Sequence, residues 1–462
     1  MRGVQLAQLL DGDRPGVAEA LDLVAGFDDA LVHGFARLGE ERAAGLAALA
    51  GAMATSPLGP AVSEAADKVA AGSIGAEHLT ALAGARIALL GAVHDALLDR
   101  LDTALGRTRA AWDEAPATAA PADNLLSGSR SWLHELAIAG WRGVDHDLVS
   151  SSDQTLEALL AEPGLRRLAV LLDGLAAELR ASCPIATMAR LPVRRWADLW
   201  TRAVLLSQPG ARPTASVAPV TGRLLPLGVD VHEHGTAVQA QVHGVLELAG
   251  GGPSRLVRAS VAAAKVDTIV GPAVWRLLDA HPVLLSALAE RRSLDLTDMP
   301  LTSGGDLVWQ DDKASAGAPA DPFATARVQL ANAHASATPP LERHPIRICE
   351  PVLLEDYETD GDRWTLDGHP LTVDLARLPA AGPLTPELLA ASSSCIGLMR
   401  WDAGRWRVQP LAVRATVKRK PVEAHTGDWA QGPTDPKVVK AEAKAGDAVA
   451  VLRERAGRLL RK

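Results

Sequence analysis

Gly222-Arg-Leu-Leu-Pro-Leu-Gly-Val-Asp-Val-His-Glu-His234 and Thr236-Ala-Val-Gln-Ala-Gln-Val-His-Gly-Val-Leu-Glu-Leu248 alternate apolar and polar residues with a period of two. That period is the mark of a strand with one face buried. Gly235 stands at the reversal between the two runs, where a positive φ is tolerated. A third run, from Arg255 to Val270, follows a glycine-rich turn and leads into the helical-looking Pro272-Ala-Val-Trp-Arg-Leu-Leu278. Residues 220–312 are therefore expected to form a β-β-β-α unit, and the rest of the chain is read outward from it.

On the first strand Val229 and Val231 share one face, and Asp230, His232 and His234 share the other. On the second, Val238, Ala240 and Val242 face the core, while Gln239, Gln241 and His243 face outward. A hairpin brings the two polar faces together. Asp230, His232, His234 and His243 thus form a candidate metal site, since a His-x-His pair with a carboxylate suits zinc or iron. The competing reading is a polar, solvent-facing sheet that holds no cofactor.

Upstream the chain is Ala- and Leu-rich. Residues 1–114 read as a helical array. In it Leu79, Leu82, Ile87, Leu90, Val93, Leu97 and Leu101 recur at three- and four-residue steps, a helix of about thirty residues ending near Gly106. Ala115 to Ala122 is a linker by composition, and residues 122–208 continue the bundle. There Trp196 and Trp200 lie four apart beside Arg195. The pair is either a core wall or a cation–π surface for a partner. Gln208 to Pro219 reads as the main domain boundary.

Downstream, residues 313–340 read as an Ala/Pro/Asp linker. Residues 341–430 form a small β-rich domain with hairpin signals at Asp360-Gly361 and Ala403-Gly404. Residues 431–462 make a basic amphipathic tail helix, able to grip another subunit or its own body. The expected class is α+β and multi-domain: a helical N-terminal half, the β-β-β-α unit, and a small C-terminal sheet or barrel with a helical tail. At 462 residues the chain suits two to four domains.

Charge is unevenly spread. The formal net charge is −8, yet Arg414 to Lys462 holds twelve Lys/Arg against six Asp/Glu. Lys418, Arg419 and Lys420, with Trp401, Trp406 and Trp429 nearby, could serve single-stranded nucleic acid as oligonucleotide-binding barrels do. Interspersed acids favour a solvated, self-docking tail instead. Three cysteines without paired spacing argue against a disulfide framework and for a reducing cytoplasm. The longest uncharged run, residues 43–63, is interrupted by Pro57 and Pro60, so no membrane span is expected. Hydrolase elbows, Walker loops, zinc-protease helices and Rossmann fingerprints are all missing, which lowers the odds of a motif-defined enzyme.

At Leu191-Pro-Val-Arg-Arg-Trp-Ala-Asp-Leu-Trp200, Val229-Asp-Val-His-Glu-His234, Ala264-Lys-Val-Asp-Thr-Ile-Val-Gly-Pro272 and Ala415-Thr-Val-Lys-Arg-Lys-Pro421 the chain resembles a group of actinobacterial proteins. That group is associated with gene neighbourhoods holding a MoxR-type AAA+ ATPase, a von Willebrand A domain protein and a SWIM zinc-finger protein. The resemblance implies a partner class and no catalytic residue. The expectation is a non-enzymatic adaptor or scaffold, with a metal-binding module and a nucleic-acid binder as alternatives.

Overall fold

The computed structural model describes residues 1–11, 16–113, 123–209, 216–445 and 447–459. The linker expected at 115–122, and residues 210–215 of the expected boundary, lie outside them. The fold is α+β, with helices in the N-terminal half and two sheets after it.

Ten helices come first. They are α1 (Gly3–Leu10), α2 (Val17–His33), α3 (Glu40–Met53), α4 (Gly59–Ala70), α5 (Ala76–Leu105), α6 (Asp123–Ala139), α7 (His146–Ser150), α8 (Asp153–Ala161), α9 (Arg166–Ser182) and α10 (Val193–Leu206). Helix α5 spans thirty residues, about 45 Å at 1.5 Å per residue. It stops where Gly106 takes a left-handed conformation and its N–H returns to the carbonyls of Asp102 and Thr103. By length and apolarity α5 passes the test for a membrane-crossing helix. Its apolar faces, however, are buried in two different protein cores. Leu79, Leu82 and Ala83 pack into the helical domain, whereas Val93, Leu97, Leu98 and Leu101 pack into the C-terminal sheet.

Helix α10 shows how the helical core is closed. Trp196, Trp200, Ala203 and Val204 form one stripe and are fully or nearly fully buried. Trp200 donates to the Leu133 carbonyl at 2.9 Å, and Trp196 packs edge-on against Trp141. The opposite stripe carries Arg194, Arg195, Asp198 and Arg202.

The first sheet contains β1 (Val217–Glu233), β2 (Ala237–Leu248), β3 (Arg255–Ala264), β4 (Arg292–Thr302), β5 (Asp306–Leu307) and β6 (Ala314–Pro319). Helix α11 (Pro282–Ala289) lies between β3 and β4, and β3 runs parallel to β5. Long β1 pairs β2 along one edge and β4 along the other. The strands therefore close in the ring β1-β2-β3-β5-β4. Val229, Val231, Val238, Ala240 and Val242 fill its interior, as the alternation predicts. A bulge at Pro226–Gly228 bends β1; a side chain at Gly228 would meet Leu411 of the second sheet at 2.6 Å.

After α12 (Pro322–Gln329) the second sheet holds β7 (Glu350–Glu355), β8 (Glu358–Asp360), β9 (Arg363–Leu366), β10 (His369–Val373), then α13 (Pro386–Ala390), β11 (Ser392–Asp402), β12 (Arg405–Val417) and β13 (Lys420–His425). Asp356, at φ 58°, bends the chain between β7 and β8. Residues 350–360 thus act as one long first strand, with β7 pairing β11 and β8 pairing β9. Strand β10 runs parallel to β12, and α13 sits between β10 and β11. This is the same ring a second time: long first strand, hairpin, helix, then a fourth strand beside the first and a fifth parallel to the third. It is the connectivity of the oligonucleotide/oligosaccharide-binding barrel. The two barrels meet at an apolar layer that includes Leu225, Leu227, Val245, Phe323, Leu353 and Ile396.

Two boundaries need correction. Residues 313–340 are not a linker. Ala314–Pro319 pairs with β4, Asp321 caps α12 through the amides of Phe323 and Ala324, and Phe323 is fully buried. Small side chains hide this strand from a periodicity reading, because its stability comes from the ladder. The tail is two helices, α14 (Pro436–Ala445) and α15 (Ala448–Leu459), rather than one. It docks on the first barrel: Val449 is buried in that core, and Arg453 pairs with Asp279 at 2.8 Å.

Candidate functional site

A cleft of about 1100 Å³ lies between α10 and the outer face of the first barrel. Its barrel wall is Gln239, Gln241 and His243 of β2 with Arg258 of β3, which pairs directly opposite His243. One end is the β1–β2 loop at His234, and another wall is the β4–β5 turn at Thr302–Asp306. The far wall is the polar stripe of α10, and the segment 335–351 completes the floor. Strands 2 and 3 with loops 1–2 and 4–5 are the face on which such barrels hold their ligands.

Nine arginines line the cleft against five carboxylates. Several carboxylates are shared. Glu342 pairs with both Arg167 and Arg347, and Glu350 with both Arg107 and Arg109. Between Arg167 and Arg347 the single Glu342 carboxylate leaves a positive remainder, whereas Arg109 is also bound by Asp102, which balances the Glu350 cluster. Burial pushes the Glu350 carboxyl up, but Arg109, Arg107 and Arg258 around it bring it below its ordinary range. Arg258 is held by both oxygens of Asp306 and by the Gly304 carbonyl. Among the described residues the exposed guanidinium of Arg194 has no carboxylate partner. On a chain of net charge −8 this is a local field of the opposite sign.

The floor holds the polar cluster that the alternation singles out, in altered membership. Asp230 is 2% exposed. It accepts from Arg400 at 2.6 Å and Gln409 at 2.7 Å, both on the second barrel, and pairs with His232 at 2.8 Å. Burial acts to raise its carboxyl, but these partners hold it well below the usual carboxylate range. His243 is buried close by, and burial pushes its imidazole down to about 3, so it is neutral. His234 does not join them; it is exposed on the loop, with Nδ1 3.4 Å from Thr236 Oγ1. Cys349 takes its place: Asp230, His243 and Cys349 each offer a ligand atom within 4.8 Å of the others. No local spacing could have announced Cys349, which lies 106 residues from His243. Burial pushes its thiol up.

The other sequence candidates are accounted for differently. Trp196 and Trp200 are core, so they offer no surface to a partner; Arg195 of the same helix lines the cleft and is bound to Glu178. Lys418, Arg419 and Lys420 form the exposed β12–β13 turn, with Lys418 and Arg419 at φ 50° and 66°, outside the cleft lining. Trp406 and Trp429 are buried and Trp401 packs edge-on against Trp406, so the C-terminal sheet lacks a free stacking platform.

His344 also lines the cleft and is 6% exposed, with Nδ1 accepting from the Ile346 amide at 3.2 Å. Burial pushes its imidazole down to about 4. The unfolded chain, at ~6.5, binds this proton more readily than the folded one. The contribution is therefore complete above pH ~6.5 and is lost as pH falls toward 4. Replacing His344 by Asn, which keeps an acceptor for Ile346, should flatten the stability curve between pH 7 and 4.5 by roughly 2 kcal/mol. Parallel urea titrations of the two proteins read this; identical slopes would acquit His344.

No family model, curated protein or solved structure matches the chain.

Proposed function

We propose that the protein binds single-stranded nucleic acid in the cleft between α10 and the first barrel. The observation that carries this reading is a coincidence of place. The arginine-rich cleft lies on the very face, strands 2 and 3 with loops 1–2 and 4–5, that this barrel connectivity presents to oligonucleotides. Guanidinium groups match phosphate oxygens bidentately and stack on bases. His232 and His234 at one end supply further flat faces. The adaptor expectation, by contrast, placed the tryptophan face or the tail against a second chain; Trp196 and Trp200 are buried within this one, whereas the tail is anchored by Val449 and leaves Val439 and Val451 exposed.

The test is fluorescence anisotropy with labelled 15-nucleotide DNA and RNA. Affinity should fall steeply between 50 and 200 mM salt, with a slope of ~0.7 per phosphate contacted. Arg194→Glu with Arg195→Glu should weaken binding at least ~10-fold through charge reversal. Lys418→Glu with Arg419→Glu should leave it unchanged. No binding, or binding abolished only by the turn variant, would overturn the assignment.

A further inference from the structure

We infer that Asp230, His243 and Cys349 form a zinc-binding site on the cleft floor, with one coordination position open toward the cleft. The inference stands on the geometry of these three side chains and does not depend on whether nucleic acid occupies the cleft.

Three separate elements deliver the donors. Asp230 comes from β1, just past the Pro226–Gly228 bulge. His243 comes from β2, two residues beyond Gln241, the residue opposite Asp230, and Cys349 from the turn that enters β7. The bulge brings Gly228, rather than a bulky residue, opposite His243. Cys349 Sγ lies 3.9 Å from His243 Nε2. In a tetrahedral zinc site with bonds of ~2.3 Å to sulfur and ~2.0 Å to nitrogen, these atoms stand about 3.5 Å apart. A shift of a few tenths of an ångström would close the gap. Among the described residues, Cys349 is the only hydrogen-bonding neighbour of the His243 ring, so a buried imidazole has little else to satisfy it.

The surroundings fit a bound dication. Asp230 Oδ2 takes Arg400 and His232, and Oδ1 takes Gln409. An ionised carboxylate has about four lone-pair sites. One remains, on Oδ1, to reach a metal, while the other three contacts fix the carboxylate in orientation, as outer partners of ligating carboxylates do. Binding would release the Cys349 proton to solvent, giving a donor set with two negative charges against Zn²⁺. Sulfur, nitrogen and oxygen donors together select zinc over magnesium or calcium, which take oxygen. Three protein ligands and an open fourth position are the pattern of sites where zinc meets a ligand rather than merely bracing a fold. The open position would face the same space as Gln241 and Arg258.

Cobalt(II) is the probe, because a thiolate ligand gives it a near-ultraviolet charge-transfer band. Titrating the full chain under reducing conditions should give one equivalent of tight binding with that band, displaced by zinc. Cys349→Ser should remove the band, and His243→Ala should weaken binding at least ~10-fold. Cys183→Ser and His234→Ala should change neither. Circular dichroism of Cys349→Ser, a near-isosteric change at a half-buried position, guards against loss of fold. Absence of stoichiometric binding in the parent protein would overturn the inference. So would a charge-transfer band that survives in Cys349→Ser, since the thiolate would then lie elsewhere.

Discussion

Replacing Arg86 by Met should destabilise the helical domain by about 3–5 kcal/mol, the usual cost of removing one partner of a buried ion pair. Arg86 has no exposed surface, and it reaches from α5 to Asp28 on α2, with Nε to Oδ1 at 2.6 Å and Nη2 to Oδ2 at 3.1 Å. Burial already pushes the Asp28 carboxyl up, with Arg86 acting to bring it down. Without the arginine, Asp28 is left as a buried carboxylate whose folded pKa rises further above its unfolded value. The folded state then holds the proton more tightly than the unfolded one. The deficit should therefore be greatest at neutral pH and shrink as pH falls toward the unfolded value of ~3.9. Pairing Arg86→Met with Asp28→Leu should recover most of the loss, because it removes the buried carboxylate that the first change leaves unpaired. Equilibrium urea unfolding of the parent and the two variants decides it. A single-variant loss under ~1 kcal/mol would mean that water reaches Asp28.

Trp364→Ala should cost the second barrel a similar ~3–5 kcal/mol, by cavity formation. Trp364 is wholly buried on β9 and stacks on Tyr357, with ring centroids 4.2 Å apart and planes 12° from parallel. Tyr357 is fixed at its other end by a 2.7 Å hydrogen bond with Ser392, so it cannot swing in to fill the void. The Trp364 ring N–H has no partner, hence Trp364→Phe gives up no hydrogen bond and should cost only about 1–2 kcal/mol. Urea unfolding with hydrogen exchange of β9 and β10 measures both. Equal losses in the two variants would show that the ring's volume is not what matters.

The parts of the fold legible in the sequence were those set by local rules. Helix α5 ends at Gly106 because period and C-cap agree, and the β1–β2 hairpin follows from its alternation. Nothing local marks the closure of the barrels. Strands β3 and β5 meet through only the Arg258–Asp306 and Ala259–Leu307 pairs, and β6 carries small residues with no pattern. The repeat of one connectivity in the two barrels leaves no sequence periodicity, since their loops and strand lengths differ. At the site, alternation correctly placed Asp230 and His243 on one side of the sheet. It could not show that Arg400 and Gln409, 170 and 179 residues away, would cover Asp230, nor that Cys349 would arrive beside His243. For Trp196 and Trp200, four-residue spacing defines a face but not what lies opposite, and Trp141 and Leu133 decided that.

The double burial of α5 has a consequence for how the chain is made. Leu6 and Leu9 of α1 and the C-terminal half of α5 belong to the core that β9, β11 and β12 complete. During synthesis these early helices emerge long before the strands that cover them. Until residues near 413 are available, an apolar stripe from Val93 to Ala104 stays uncovered. Such nonlocal closure is slow, and surface left open meanwhile is prone to stick to other chains. The same dependence means that a C-terminal fragment starting at β1 would lack part of its second core. Shortened versions of the protein should therefore keep α1 and α5 if the second barrel is to fold.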